Sequence, residues 1–145
     1  MTYLLDVNVL VALIDPNHVG HEAAHQWFEA EGRKAWATCP ITENGLIRIV
    51  GNVRYPATPG SPAEVATIMA QMCRLPGHSF WPDDISLLTA DHVDASQILT
   101  SAQVTDTYLL ALAVANRGKL ATFDRRLTPN GVAGGKDAIH LIGHQ

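Results

Sequence analysis

Two cysteines, Cys39 and Cys73, are all that the 145 residues contain, and they lack C-x-x-C spacing. That is too little for a disulfide framework, so a reducing cytosol is the expected setting. No apolar run approaches the roughly 18 residues that a membrane span requires. Met1-Thr2-Tyr3 offers no basic start and Asp6 interrupts the first apolar stretch, so no signal peptide is expected either. Aromatic residues make up only 6% of the chain, which gives no ground for a base-stacking platform. Cations are missing over a long stretch: no Lys or Arg occurs from Leu75 to Asn116, where Asp83, Asp84, Asp91, Asp94 and Asp106 all fall. The net charge of −4 at first argues against a polyanionic partner. If four of the acids form a metal site, ten acids remain against ten bases and that objection largely disappears.

What is present suits one globular domain over residues 1–145: 47% of residues are hydrophobic and 17% charged. Short apolar stretches at 3–5, 34–38, 79–81, 120–123 and 139–142 read as strands. Helices are expected at 7–14, 21–31, 41–50, 63–74 and 105–117, with Thr105 as N-cap of the last and Gly118 at its C-terminal end. Residues 54–62 read as a loop, 86–100 as short helices, and NGVAGGKD (130–137) as a flexible loop. Strands alternating with helices predict an α/β domain with a mostly parallel central sheet flanked by helices.

Four acids then occupy comparable places. Asp6 follows the strand YLL and Asp124 follows the strand LATF, while Glu43 and Asp106 each lie near the start of an apolar helix. In an open α/β sheet, functional groups gather beyond the carboxyl ends of strands, where helix N-termini also point. Carboxylates crowded together raise one another's pKa, and a hard cation such as Mg²⁺ or Mn²⁺ removes that conflict. Metal-held water then suits attack on phosphorus. Asn8 fits as an amide that orients a carboxylate, and Thr122 shares a strand face with Asp124. Each acid taken singly has a plainer reading, as a helix cap, a turn residue or a solvated surface group. Only the four acids together point to a metal site.

LLDVNVL near the start, ITENGLIRIV around residue 43 and TDTYLLALAVANRGKLATFDRRL from residue 105 together resemble the PIN-domain nucleases. The likeness is nearest to the VapC-type ribonuclease toxins and extends over essentially the whole chain. The resemblance implies a Mg²⁺-dependent endoribonuclease, with Asp6, Glu43, Asp106 and Asp124 matching the family's four acids in order. Asp6 and Asp106 would be the direct metal ligands, Glu43 and Asp124 direct or water-mediated ones, and Asn8 and Thr122 polar supports. It also implies an RNA substrate, a cognate antitoxin protein and a tendency to form homodimers. Arg48, Arg125 and Arg126 are candidates for phosphate contact, with solvated surface arginines as the plainer reading.

Two other motifs point to different chemistry. HEAAH at 21–25 is a literal H-E-x-x-H, which on a helix could bind zinc with Glu22 as general base and Glu43 as third ligand. That zinc-peptidase reading leaves Asp6, Asp106 and Asp124 without a role. GVAGGKD lacks the spacing and the hydroxyl residue of a phosphate-binding loop. A catalytically inert PIN fold serving as a binding module is the non-enzymatic alternative.

Overall fold

A computed structural model describes residues 1–56 and 58–143; Ala57, within the predicted loop at 54–62, lies outside them. Five short strands form one sheet: β1 (Tyr3–Leu5), β2 (Trp36–Thr38), β3 (His78–Phe80), β4 (Lys119–Thr122) and β5 (Ile139–Leu141). Their order is β3-β2-β1-β4-β5 and every pairing is parallel. Parallel neighbours need crossover connections, and most are supplied by α1 (Val7–Ile14), α2 (His21–Ala30), α3 (Pro40–Val50), α4 (Pro62–Met72) and α5 (Gln103–Ala115). This is the expected α/β architecture.

Strand alternation divides the apolar residues between two cores. Tyr3, Leu5, Trp36 and Ala121 join the core built with α1 to α4, whereas Leu4, Ala37 and Leu120 join the core built with α5. Helices on both faces explain why β1 and β2 are buried along their whole length and why β1 reads as an unbroken apolar run. From β1 the chain winds through β2 to β3 on one side, then returns to β4 and β5 on the other. The winding therefore reverses between β1 and β4, the place where open parallel sheets collect ligands. Asp6 and Asp124 leave the sheet at that junction.

Several local expectations are corrected. β2 starts at Trp36, because residues 32–34 form a 3-10 turn, and β4 ends at Thr122. Residues 86–100 contain turns and one 3-10 turn, Ala95–Gln97, in place of short helices. α5 begins two residues before Thr105, with Ala102 at its N-cap; the Gln103 side chain turns back to accept the N–H groups of Leu99 and Thr100. The segment expected to be flexible at 130–137 is tied down: Val132 is buried and bridges to Val93, and the Ala133 N–H donates to the His92 carbonyl at 2.8 Å.

At the end of α5, the left-handed turn expected of Gly118 falls one residue earlier. The left-handed residue is Arg117 (φ 58°), and the Gly118 N–H closes the helix onto the Ala113 carbonyl at 2.8 Å while Arg117 N–H reaches Val114 at 3.0 Å. Gly118 is required for a different reason, since a Cβ there would meet the carbonyl oxygen of Thr2 and the ring of Trp81. Backbone on one side and a packed indole on the other cannot easily yield. Gly118→Ala is therefore expected to cost about 1–3 kcal/mol, read as a lower urea midpoint with an unchanged m-value; an unaltered midpoint would contradict this packing.

Candidate active site

The hydroxyl of Thr122, fully buried at the end of β4, organises the sheet junction. It donates to Oδ2 of Asp6 at 2.7 Å and accepts the Asp124 N–H at 3.0 Å and the Asn8 amide Nδ2 at 3.3 Å. The other face of the Asn8 amide accepts the Phe123 N–H at 3.3 Å. Oδ1 of Asp6 receives the Val7 N–H at 2.7 Å, so this carboxylate also caps α1. Register explains the meeting: Leu5 pairs with Ala121, which sets Asp6 level with Thr122 on the face that α5 covers.

Asp106, in the first turn of α5, comes to the same place. Its carboxyl is pushed from the ordinary 3.8 up to about 6, first by burial and then by the charges of Asp6 and Asp124. Asp6 is also raised by burial and by Asp124, against the lowering effect of the Thr122 and Val7 hydrogen bonds. Asp106 feels the charges of both Asp6 and Asp124, and Asp6 feels that of Asp124, so the three carboxylates lie within electrostatic reach of one another. An all-oxygen donor set of this kind, held together against its own repulsion, fits a hard divalent cation.

Glu43 is placed in different company. On α3, its Oε2 accepts a 2.7 Å hydrogen bond from the buried Thr38 hydroxyl, and that hydroxyl oxygen in turn accepts from Nε2 of His78 at 2.8 Å. Thr38 shares a strand face with Trp36, on the α1-to-α4 side of the sheet. Cys73, at the C-cap of α4, completes a group in which ligand atoms of Glu43, Cys73 and His78 lie within 4.8 Å of one another, a cluster able to hold a metal ion. Sequence reasoning missed this group. Its only linear signal is the five-residue spacing of Cys73 and His78, which means nothing until β2 and β3 pair.

Arg48, Arg125 and Arg126 are exposed, and the two ion pairs among the described residues, Arg33–Glu29 and Lys34–Glu31, involve none of them. Arg125 and Asp124 border one surface depression with Lys136 and His140; Arg48 borders another with Arg54 and Tyr55. The HEAAH histidines are committed to structure. His21 Nδ1 lies 2.7 Å from the Ala12 carbonyl and His25 Nε2 2.8 Å from that of Leu13, so both rings cap the C-terminal end of α1. Glu43, which would have completed a zinc site with them, groups with Cys73 and His78.

The PIN domain family profile matches residues 3–130. Among curated relatives, Ribonuclease VapC39 of Mycobacterium tuberculosis (strain ATCC 25618 / H37Rv) is 45% identical over 134 residues, covering 92% of this chain and 96% of the relative. Ribonuclease VapC44 of the same strain is 42% identical over 134 residues, with 92% and 94% covered. Ribonuclease VapC38 is 38% identical over 121 residues, with 83% and 84% covered.

Two substitutions separate support from charge. Thr122→Val keeps the shape but leaves Asp6 Oδ2, the Asp124 N–H and Asn8 Nδ2 short of a partner, and should cost about 2 kcal/mol in chemical denaturation. Asp106→Asn should do the opposite in metal-free protein. An acid raised in the folded state burdens the fold once ionised, so at neutral pH removing the charge should add roughly 1 kcal/mol after screening at this half-exposed site. That gain should vanish below the ordinary carboxylate range, where the acid is protonated in both states. A loss of melting temperature at neutral pH in the Asn variant would contradict the assigned repulsion.

Proposed function

The chain belongs to the PIN-domain family, in its VapC-type branch of metal-dependent nucleases, and from that premise we propose that it is a Mg²⁺-dependent endoribonuclease with Asp6, Asp106 and Asp124 as its metal-holding acids. The observation that carries this reading is the convergence of three carboxylates at the junction of β1 and β4. Asp6 and Asp106 hold the ion directly, and Asp124 acts directly or through water. Glu43 serves as the fourth acid, at the β2 side of the same sheet end. Mg²⁺, with Mn²⁺ as a substitute, supplies an acidified water and offsets charge on the phosphodiester when bound.

The chain's own groups prepare that chemistry. Thr122 and the Val7 N–H each take one oxygen of Asp6, so the carboxylate presents its remaining lone pairs in a fixed direction. Asn8 locks the orientation of the Thr122 hydroxyl and of the Phe123 backbone, which sets the course of the chain into Asp124. Arg125 and Arg126 are exposed beside Asp124 and are the groups placed to receive a backbone phosphate; Arg48 would guide a more distant one.

The substrate is RNA cut where a single-stranded segment is accessible. A cognate antitoxin and a homodimer belong to the same reading, as does one domain spanning residues 1–145. A cytosolic setting goes with it, consistent with two free cysteines; no helix among the described residues is long and apolar enough to cross a membrane.

Purified protein freed of any partner should cleave a structured RNA pool with Mg²⁺ or Mn²⁺ and stop with EDTA. Asp6→Asn should lower the rate at least about 100-fold, the scale on which a single electrostatic contact to the reaction counts. Cleavage that survives both EDTA and the substitution would overturn the assignment. Binding of RNA without any cleavage would favour the inert module.

A further inference from the structure

We propose that Glu43, Cys73 and His78 form a zinc-binding site, chemically distinct from the aspartate cluster, that takes Glu43 out of nuclease use when occupied. The donor set is one thiol, one imidazole and one carboxylate, the mixture zinc accepts and Mg²⁺ refuses. Their ligand atoms already lie within 4.8 Å of one another, although they come from α3, the end of α4 and β3. A tetrahedral zinc with bonds of about 2.0–2.3 Å needs donors about 3.3–3.7 Å apart, so closure takes at most about 1.5 Å of side-chain movement. All three side chains are half-buried, open enough for an ion to enter and sheltered enough to hold it.

Thr38 makes the arrangement specific. Its single hydroxyl proton goes to Glu43, so His78 must present Nε2–H to the hydroxyl oxygen. The ring of His78 is held against Trp36, with centroids 4.6 Å apart. Thr38 thus holds Glu43 and His78 side by side in the metal-free protein, and its bond to Nε2 is the one that zinc would displace. Zinc entry would release the Cys73 thiol proton to solvent and shift the His78 proton to Nδ1, leaving a fourth position for water. Zinc binding does not depend on the nuclease assignment; its inhibitory consequence does, because it acts through Glu43.

The test uses reduced, metal-free, full-length protein titrated with ZnCl₂ and, for a spectroscopic signature, with CoCl₂. One equivalent of zinc should bind, and Co²⁺ should produce a thiolate-to-metal charge-transfer absorption. Cys73→Ser should abolish that band and weaken zinc by more than about 100-fold, beyond the loss expected for an outer partner. His78→Gln should weaken zinc comparably while keeping the native circular dichroism, which guards against loss of fold as the cause. Asp6→Asn should leave the cobalt band intact. In RNA cleavage with Mg²⁺, zinc should inhibit the unaltered protein and spare Cys73→Ser. A cobalt band that persists without Cys73, or disappears with Asp6→Asn, would overturn the site. Equal zinc inhibition of both proteins would overturn its effect on the nuclease.

Discussion

Three carboxylates come within electrostatic reach of one another where the winding of a parallel sheet reverses, and much of the surrounding structure serves to hold them there. Left to themselves, Asp6, Asp106 and Asp124 would protonate or move apart. Asp6 is instead held by hydrogen bonds to both oxygens, and the donor to one of them, Thr122, also receives the Asp124 backbone and Asn8. Asp106 is carried in on α5, whose apolar side chains form a large part of one core and fix the helix over the sheet. Burial, and after it the repulsion that remains, raise the Asp106 carboxyl to about 6, a local instability that a bound cation would convert into affinity.

The sheet also keeps two kinds of chemistry apart. Side chains alternate across β1, β2 and β4, so Asp6 and Thr122 turn toward α5 whereas Thr38 turns toward α3 and α4. The three aspartates belong to the junction of β1 and β4, whereas Cys73 and His78 lie beside Glu43 at the same end of β2 and β3. Gly45 brings α3 close to the start of α1, with room for a Cβ only if the Val7 side chain gives way at 2.8 Å. That close approach sets Glu43 beside Thr38 and the end of β2.

Much of this was legible in the sequence because it depends on short-range pattern. YLL followed by Asp6 and LATF followed by Asp124 announce strand ends, and the apolar run of α5 announces a buried helix with Asp106 at its start. Parallel pairing follows from alternating strands and helices. What stayed hidden depends on tertiary contact. Thr38, Cys73 and His78 are unremarkable until β3 pairs with β2. Thr105 has the chemistry of a cap, yet the Gln103 side chain closes the preceding turn and the helix begins earlier. HEAAH has the spacing of a zinc motif, but its rings satisfy the last carbonyls of α1, a demand that no spacing rule displays.

Mn²⁺ can be located directly by anomalous scattering from crystals of the protein grown or soaked with that ion. The account predicts a peak among the carboxylate oxygens of Asp6, Asp106 and Asp124, with the Thr122 hydroxyl still bonded to Asp6. A peak only at Glu43, Cys73 and His78, or no peak at the aspartates at an Mn²⁺ concentration that supports RNA cleavage, would contradict it.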